Sequence, residues 1–445
     1  MPAMTTGRLQ GRARALALEI AAEARAEWGY ASDIIARSFR AHRELASGDR
    51  RRISETVYGL IRMDRRLDAI LEELAGRQLA ELGPVVRDEL KLLVHEVREG
   101  LPVEAAQADA RRLLGASADL SRALGEEAGL GKRAGLEREA LRLSYPTWMI
   151  ETFTNDLGRE AGLALASQMN SRAPMALRVN TARVSREALA ARLAEEHVIA
   201  KPTPLAPAGL VLETRVNAFG LTAFQEGLFE VMDEGSQVVA ELVAPPPGGR
   251  VVDACAGAGG KTLAVGASMD GKGRLLALDT DGKKLEELRR RARRAGLTNV
   301  TARPVTAEGT TLPPEARPGA WDRVLVDAPC SGLGTLRRNP EARWRLTADA
   351  VRAFPARQLA LLVTYAPLVA VGGRLIYATC SVVEAENEGV VSRFLAERDD
   401  FVRVPVKEIW GKERAAAVGD GLTLRLYPHT HDTDGFFAAV LRRVR

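Results

Sequence analysis

The chain has 445 residues, of which 46% are hydrophobic and 27% charged, and its formal net charge is +5. This length predicts two to three domains with room for a buried core, and the mild positive charge fits a polyanionic partner without requiring one. No apolar run approaches the roughly 18 residues that a membrane span needs, and the N-terminus lacks the apolar region of a secretory signal. Three cysteines are too few for a disulfide framework. We therefore expect a cytoplasmic protein that crosses no membrane.

Residues 1–143 are predicted to form a helical domain. Apolar residues recur at i, i+3 and i+4, and strand patterns are nearly absent before Met175. The helical stretches are ARALALEIAAEARAEW, ASDIIARSFRAHREL, DRRRISETVYGLIRMDRRLDAILEELAG and LGPVVRDELKLLVHEVREGL. The domain is rich in arginine, for which a solvated helix face is the commoner explanation and an RNA-binding face the more specific one.

Residues 144–234 are predicted to form a small α+β linking region. The sequence here mixes strand and helix patterns, as in APMALRVNTARVS and LVLETRVNAFGLTAFQEGLFEVMDEGSQ. Prolines and glycines at 245–249 then break the chain before a clear strand.

Residues 235–445 are predicted to form an α/β domain. It has predicted strands at RVVDAC, RLLALDTD, VTARPVT, DRVLVDAP and GRLIYATC, and predicted helices at KTLAVGASM, KKLEELRRRARRAG, ARQLALLVTYAPLV and AENEGVVSRFLAE. This alternation is typical of βαβ units with a parallel sheet covered on both faces. The tail, LTLRLYPHTHDTDGFFAAVLRRV, predicts two strands around a loop that close the sheet in antiparallel fashion.

The first strand of this domain leads into a glycine-rich turn, CAGAGGKT, with glycines at 257, 259 and 260. Glycines let the backbone approach a ligand closely, and the following helix directs free N–H groups toward it. Asp279 ends the next strand, where it could accept hydrogen bonds from ribose hydroxyls. Both nicotinamide dehydrogenases and S-adenosylmethionine enzymes use such a turn. The dehydrogenase pattern G-x-G-x-x-G fits less well, because it would need glycine at Thr262.

Two of the three cysteines follow the fourth and fifth strands of the domain, in DAPCSG and YATCSVV. A right-handed crossover commonly makes successive strands neighbours, so Cys330 and Cys380 should lie at the same carboxyl edge of the sheet, beside Asp327. A thiolate that attacks carbon 6 of cytosine turns carbon 5 into an enamine-like nucleophile able to take a methyl group from a sulfonium. A neighbouring carboxyl group would orient the base, and a second thiol could assist release.

Several of these motifs resemble the Nop/Sun-type RNA cytosine-5 methyltransferases. They are DACAGAGGKT, DAPCSGLGTLRRNPEARW, ATCS and HTHDTDGFF, with MALRVNT, FQEGLFEVMDEGSQ and SYPTWM upstream. The N-terminal third, with VYGLIRMDRRLDAIL, resembles the NusB-like RNA-binding domain of the small-subunit rRNA methyltransferase B branch. The resemblance implies a Rossmann-like S-adenosylmethionine-dependent methyltransferase fold with a mixed sheet, its last strand antiparallel, after an all-helical NusB-like domain and a small α+β region.

The resemblance also implies roles for particular residues. Cys380 is the nucleophile, Cys330 helps product release, and Asp327 contacts the target cytosine near the cofactor. S-adenosylmethionine would be held by Cys255, Ala256, Gly257, Ala258, Gly259, Gly260 and Lys261, with Asp279 on the ribose. Lys261 would orient Asp327 or the cofactor, the alternative being a surface lysine at a helix start. Arg337 and Arg338 are candidates for contact with RNA phosphates.

Two positions depart from the family pattern. Ala258 replaces the usual proline, which changes the stiffness of the loop but not its backbone donors. The position of an aspartate that often approaches adenine corresponds to Thr306, with Glu308 as the alternative.

The expected activity is transfer of a methyl group from S-adenosylmethionine to carbon 5 of a cytosine in RNA, with 16S small-subunit rRNA as the expected substrate. The alternatives are a tRNA cytosine-5 methyltransferase, an RNA-binding ribosome assembly factor with a vestigial site, and a nicotinamide dehydrogenase. We expect a monomer without a metal ion.

Overall fold

A computed structural model describes residues 8–306 and 311–445. The chain divides into two compact units, one of Met1–Ser171 with Leu336–Ala348 and the other of Arg172–Thr335 with Asp349–Arg445. Within the described ranges, no helix combines the length and the apolar character needed to cross a membrane.

The described residues up to Ser171 form nine α-helices. They are α1 (Gly11–Glu27), α2 (Ala31–Ala41), α3 (Ser47–Arg62), α4 (Asp64–Ala75), α5 (Pro84–Arg98), α6 (Glu104–Leu114), α7 (Gly135–Leu143), α8 (Thr147–Leu157) and α9 (Arg159–Gln168). Of these, α1 to α5 lie in the predicted helical stretches. The longest predicted stretch forms two helices rather than one, because Met63 between α3 and α4 leaves the helical conformation, with φ −100° and ψ 13°.

The second unit opens with a small antiparallel sheet in the strand order β2-β3-β1-β4. Its elements are β1 (Ala176–Val179), α10 (Arg186–Glu195), β2 (Ala200–Pro202), β3 (Gly209–Leu212), α11 (Thr222–Gln225) and β4 (Phe229–Val231). The helix α12 (Glu234–Leu242) follows, with Asp233 as its N-cap, since the carboxylate accepts a hydrogen bond from the Gly235 amide.

The first half of the large sheet follows the predicted alternation of strands and helices. Its elements are β5 (Arg250–Asp253), α13 (Gly260–Ser268), β6 (Arg274–Asp279), α14 (Gly282–Ala295), β7 (Val300–Pro304) and β8 (Trp321–Asp327). Successive residues of each strand face opposite sides, so Val252 and Val324 belong to one buried cluster whereas Val251 and Leu325 belong to another. The sheet is therefore covered on both faces, as expected.

The next segment, Leu336–Ala348, belongs to the first unit although its neighbours in the chain belong to the second. It contains the short helix α15 (Ala342–Arg345). Arg343 is fully buried there, and its guanidinium donates hydrogen bonds to Asn170 Oδ1 at 2.9 Å and to the Tyr145 hydroxyl at 3.1 Å. Trp344 Nε1 donates to the Ile61 carbonyl at 2.7 Å. These contacts anchor the segment among the helices of the first unit.

The remaining elements complete the large sheet. They are α16 (Ala348–Tyr365), β9 (Val369–Thr379), α17 (Glu388–Glu397), β10 (Phe401–Val404), α18 (Val406–Trp410), α19 (Lys412–Ala416), β11 (Leu424–Leu426), α20 (Pro428–His431) and β12 (Phe436–Arg443). The strand order is β10-β12-β9-β8-β5-β6-β7, and β11 also pairs with β12. Strands β5 to β9 pair in parallel, and β12 is antiparallel to β9. The predicted mixed sheet is confirmed, whereas β10, α18 and α19 are additional elements.

Candidate active site

The carboxyl ends of the parallel strands bring the predicted site residues together. Strand β8 lies between β5 and β9, and Asp327 at its end is in register with Ala378 of β9. Cys380 follows β9 directly, and Cys330 follows β8 after a short turn. The predicted adjacency of these two strands is therefore correct.

The sulfur atoms of Cys330 and Cys380 lie 3.3 Å apart, in contact and within reach of a thiol hydrogen bond. Both cysteines are free and half-buried. The interaction with the Cys380 sulfur, followed by burial, raises the pKa of the Cys330 thiol well above its usual range. Cys330 is therefore held as a protonated thiol whose S–H lies within hydrogen-bond reach of the Cys380 sulfur.

Lys261 joins Asp327 in an ion pair beside the thiols. Its Nζ donates a hydrogen bond to Asp327 Oδ2 at 2.7 Å, and it also lies 5.1 Å from the centre of the Phe436 ring. Burial opposes the charge on Lys261, but attraction to Asp327, their hydrogen bond and the nearby Cys380 sulfur raise its pKa overall. Lys261 is thus a buried ammonium group that can stabilise negative charge on Asp327 and Cys380. It is not the surface lysine that was the alternative.

A buried carboxyl group, that of Glu386, lies behind the two thiols and was not singled out from the sequence. It accepts hydrogen bonds from the Ser331 amide at 2.9 Å, the Ser331 hydroxyl at 2.5 Å, the Ser381 hydroxyl at 2.6 Å and Gln358 Nε2 at 2.9 Å. The two serines are the residues that follow the two cysteines. The sequence signal was weak, because Glu386 stands in the run EAENE, which reads as a solvated helix start.

Three chain segments cross closely beside the thiols. The Gly334 amide donates to the Cys380 carbonyl at 2.9 Å, and the Gly435 amide donates to the Gly334 carbonyl at 2.8 Å. A Cβ atom on Gly334 would lie 2.3 Å from the Gly435 carbonyl oxygen and 2.7 Å from that of Cys380, so a side chain does not fit there. The contact explains why glycines occur in both the DAPCSGLG and DGFF motifs.

The glycine-rich turn has the properties of a cofactor cradle. Gly257 has φ +52° and open space where a Cβ would lie, so its backbone can contact a ligand directly. At Gly259 a Cβ would lie 2.6 Å from Leu288 Cγ, so packing against α14 also requires glycine there. Asp279 accepts hydrogen bonds from the amides of Gly257 and Asp281, both at 2.8 Å. Each carboxylate oxygen keeps a free lone pair, which suits ribose hydroxyls.

A second buried acid, Asp253, lies beneath this turn at 2% exposure. Burial raises its pKa to about 7, although the Thr262 hydroxyl donates a hydrogen bond to it at 2.6 Å. Burial, with the nearby carboxylates of Asp253, Asp327 and Asp279, also raises the pKa of Cys255 well above its usual range. Cys255 is therefore a protonated, unreactive thiol, in keeping with its predicted place lining the turn.

The remaining predicted residues are Thr306, Arg337 and Arg338. Thr306 is exposed after β7, and its hydroxyl accepts a hydrogen bond from the Thr311 amide at 3.3 Å. The alternative, Glu308, lies outside the described residues. Arg337 is buried at 4% exposure in the first unit, whereas Arg338 is half-buried. Of the two arginines, Arg338 is the more accessible to a phosphate, and the RNA-binding role of both stays a prediction.

Comparison with known proteins identifies the family. Residues 240–442 match the model of the 16S rRNA methyltransferase RsmB/F family. Residues 145–218 match a ferredoxin-like domain of RsmF/B-like methyltransferases, and residues 12–97 match the NusB family. A Synechocystis protein named "Probable ribosomal RNA small subunit methyltransferase B" is 34% identical over 97% of this chain and 99% of its own length. The chain belongs to the RsmB/F methyltransferase family.

Two further matches extend over most of the chain. A Bacillus subtilis protein, also named "Probable ribosomal RNA small subunit methyltransferase B", is 30% identical and covers 93% of this chain and 94% of its own length. The crystal structure of PH0851 has a TM-score of 0.77 and 27% identity, and covers 98% of this chain and 100% of that chain. Membership of the RsmB/F family makes this chain an S-adenosylmethionine-dependent methyltransferase and excludes the nicotinamide dehydrogenase alternative.

Proposed function

We propose that this RsmB/F-family protein methylates carbon 5 of a cytosine in 16S small-subunit rRNA. The observation that carries the proposal is the pair of free thiols, whose sulfur atoms lie 3.3 Å apart beside the Lys261–Asp327 ion pair. The names of the Synechocystis and Bacillus subtilis relatives support small-subunit rRNA as the substrate.

In the proposed reaction, the Cys380 thiolate attacks carbon 6 of the cytosine, forming a sulfur–carbon bond and leaving carbon 5 nucleophilic. S-adenosylmethionine, when bound, would supply an electrophilic methyl group to carbon 5 and would leave as S-adenosylhomocysteine. Asp327, held by Lys261, orients the base through its N3 and amino edge. In the elimination, the carbon 5 proton passes to the Cys330 sulfur while Cys330 gives its own proton to the departing Cys380 sulfur, 3.3 Å away. The bond between Cys380 and carbon 6 breaks and the double bond between carbons 5 and 6 forms again.

The surroundings of the two thiols support different roles for them, with Cys380 as the nucleophile and Cys330 as the residue that assists release. Lys261 is a cation close to the Cys380 sulfur, and attraction between the two contributes to the raised pKa of Lys261. Contact with Cys380, then burial, raises the pKa of Cys330. Cys330 is therefore held as a protonated thiol in contact with the proposed nucleophile, a position that suits a proton-transfer partner.

The domain boundaries are part of the proposal. We assign residues 1–143 to a NusB-like RNA-binding domain, 144–234 to the α+β linking region and 235–445 to the catalytic domain. The three family matches, at 12–97, 145–218 and 240–442, fall within these limits. The segment Leu336–Ala348 is counted with the catalytic domain by sequence but packs within the first unit.

Methyl transfer from labelled S-adenosylmethionine to unmodified 16S rRNA tests the function. Wild-type protein should yield 5-methylcytosine, and Cys380→Ala should yield none. Cys330→Ala should accumulate a denaturant-resistant protein–RNA adduct, because attack is retained and release is lost. The double variant Cys330→Ala/Cys380→Ala is the matched control, since it should form no adduct.

Three outcomes would contradict the proposal. Turnover by Cys380→Ala would exclude it as the nucleophile. Methylation of tRNA in place of 16S rRNA would reassign the substrate. Binding of rRNA without any methyl transfer by wild-type protein would favour an assembly factor with a vestigial site.

A further inference from the structure

The two cysteine turns share one buried anchor. The carboxyl group of Glu386 is fully buried and accepts four hydrogen bonds from Ser331, Ser381 and Gln358. A carboxylate has about four lone-pair positions, so its accepting capacity is used completely. The Ser331 and Ser381 hydroxyls also lie 3.2 Å from each other. The contacts of one side chain thus fix the residue after each catalytic thiol.

Hydrogen bonds also hold Glu386 and Asn387 to the end of strand β9 and to the turn that follows it. The Tyr377 hydroxyl donates a hydrogen bond to the Glu386 carbonyl at 2.5 Å. Asn387 Oδ1 accepts one from the Thr379 hydroxyl at 2.6 Å, and Asn387 Nδ2 donates one to the Ser381 carbonyl at 3.1 Å. Gln358 Nε2 donates to the Pro329 carbonyl at 3.1 Å as well as to Glu386. The carboxyl group therefore cannot move without displacing both turns.

We propose that Glu386 is a positioning residue that sets the separation of the Cys330 and Cys380 sulfur atoms. The inference rests on the proposed function only in assigning the two thiols to one reaction. Each sulfur is carried on a short turn after a different strand, and the contact of 3.3 Å requires both turns to be correct at once. Burying a carboxylate is costly unless it is fully hydrogen-bonded. Here that cost is offset by charge-assisted bonds to both turns, which an apolar residue could not form.

Phenylarsine oxide measures the thiol separation independently of methyl transfer. Its arsenic forms bonds to two adjacent sulfur atoms, and the two thiol protons leave with its oxygen as water. Wild-type protein should bind it in a one-to-one complex that Cys330→Ala and Cys380→Ala each abolish. These single variants also exclude chelation through Cys255.

The decisive variants are Glu386→Ala and Glu386→Gln. Alanine removes all four contacts, so arsenical affinity should fall about tenfold or more. The turnover number should fall about a hundredfold, with KM for RNA little changed because Glu386 is fully buried. Glutamine can direct its oxygen to the Ser331 amide and Gln358, and its amide group to the two serine hydroxyls. It should therefore restore most of the chelation and turnover.

Glu388→Gln is the matched control. Glu388 lies two residues after Glu386, and its carboxylate pairs with Arg403 at 2.9 Å and with Arg425 at 3.8 Å. Neither partner belongs to a cysteine turn, so chelation and turnover should be unchanged. A folded Glu386→Ala with wild-type chelation and turnover would overturn the proposal, as would a folded Glu386→Gln as impaired as the alanine variant. If Glu386→Ala does not fold, Ser331→Ala/Ser381→Ala carries the test. Weakened chelation then supports the proposal, and unchanged chelation overturns it.

The two proposals can fail separately. If Glu386→Ala loses chelation but wild-type protein makes no 5-methylcytosine, the positioning role stands and the reaction is wrong. If replacement of Glu386 changes neither chelation nor turnover while wild-type protein methylates 16S rRNA, the reaction stands and the positioning role is wrong.

Discussion

Replacement of Asp253 by asparagine should change how the stability of the second unit depends on pH. The carboxyl group is buried, and burial raises its pKa from the ordinary 3.8 to about 7. Asparagine keeps an oxygen for the Thr262 hydroxyl but carries no charge. The variant therefore removes the cost of ionising Asp253 in the folded state.

The magnitude follows from the pKa in the two states. Between pH 3.8 and 7 the folded protein binds a proton that the unfolded chain has lost, so the free energy of unfolding falls as pH rises. At 1.36 kcal/mol per pKa unit, the whole effect is about 4 kcal/mol. Of this, about 2.5 kcal/mol falls between pH 5 and pH 8. The difference in free energy of unfolding between Asp253→Asn and wild type should therefore shift in favour of the variant by about 2.5 kcal/mol from pH 5 to pH 8.

Urea denaturation of the full chain at pH 5 and pH 8 measures the difference. Tryptophan fluorescence follows the second unit when Trp28, Trp148, Trp344 and Trp410 are replaced by phenylalanine in all variants, which leaves the buried Trp321 as the reporter. Val252→Ala on the same strand is the control, because it loses apolar packing without involving a proton. Its destabilisation should be equal at the two pH values. A constant difference between Asp253→Asn and wild type at pH 5 and pH 8 would refute the reasoning.

Two further variants test the packing of each unit. Gly334→Ala forces the backbone away from the Cys380 carbonyl and should reduce the turnover number about tenfold or more. Gly282→Ala is the control, because a Cβ there meets nothing within 4 Å, and it should leave turnover unchanged. Equal turnover of the two variants would refute the steric explanation of Gly334. Arg343→Ala leaves buried acceptors, including the Tyr145 hydroxyl, without their donor and should destabilise the first unit by about 3 kcal/mol or more, and Arg343→Lys should not restore it because lysine lacks the planar fork. Urea denaturation of the full chain checks this second expectation, and a fully stable lysine variant would contradict it.

The catalytic sheet was predictable because its signals are local. Buried parallel strands are continuous apolar runs such as RLLALD, and each is followed by an amphipathic helix. The preference for right-handed crossovers then placed β8 beside β9, and with them the two cysteines. The family resemblance added the roles of individual residues, which the strand pattern alone could not supply.

The features that were missed depend on contacts between distant parts of the chain. Glu386 sits in an acidic run, and only the approach of Ser331 and Gln358 makes it a buried anchor. Gly259 was interpreted only as a ligand contact, which stays a prediction, and the sequence did not show that a Cβ at this position would also collide with Leu288 from α14. The strand β10 is short and follows a polar turn, so its pairing with β12 carries little signal of its own.

The excursion of Leu336–Ala348 makes the two units inseparable by simple truncation. The backbone passes between the units after Ser171, Thr335 and Ala348, so a fragment beginning at Arg172 would still carry the loop with Arg343 and Trp344. In such a fragment, Arg343 would lose its hydrogen bond to the Ser144 carbonyl and its contact with the Tyr145 ring, and Trp344 would lose its hydrogen bond to the Ile61 carbonyl. Evolutionary loss or exchange of the helical unit would accordingly require a matching change in the middle of the catalytic sequence.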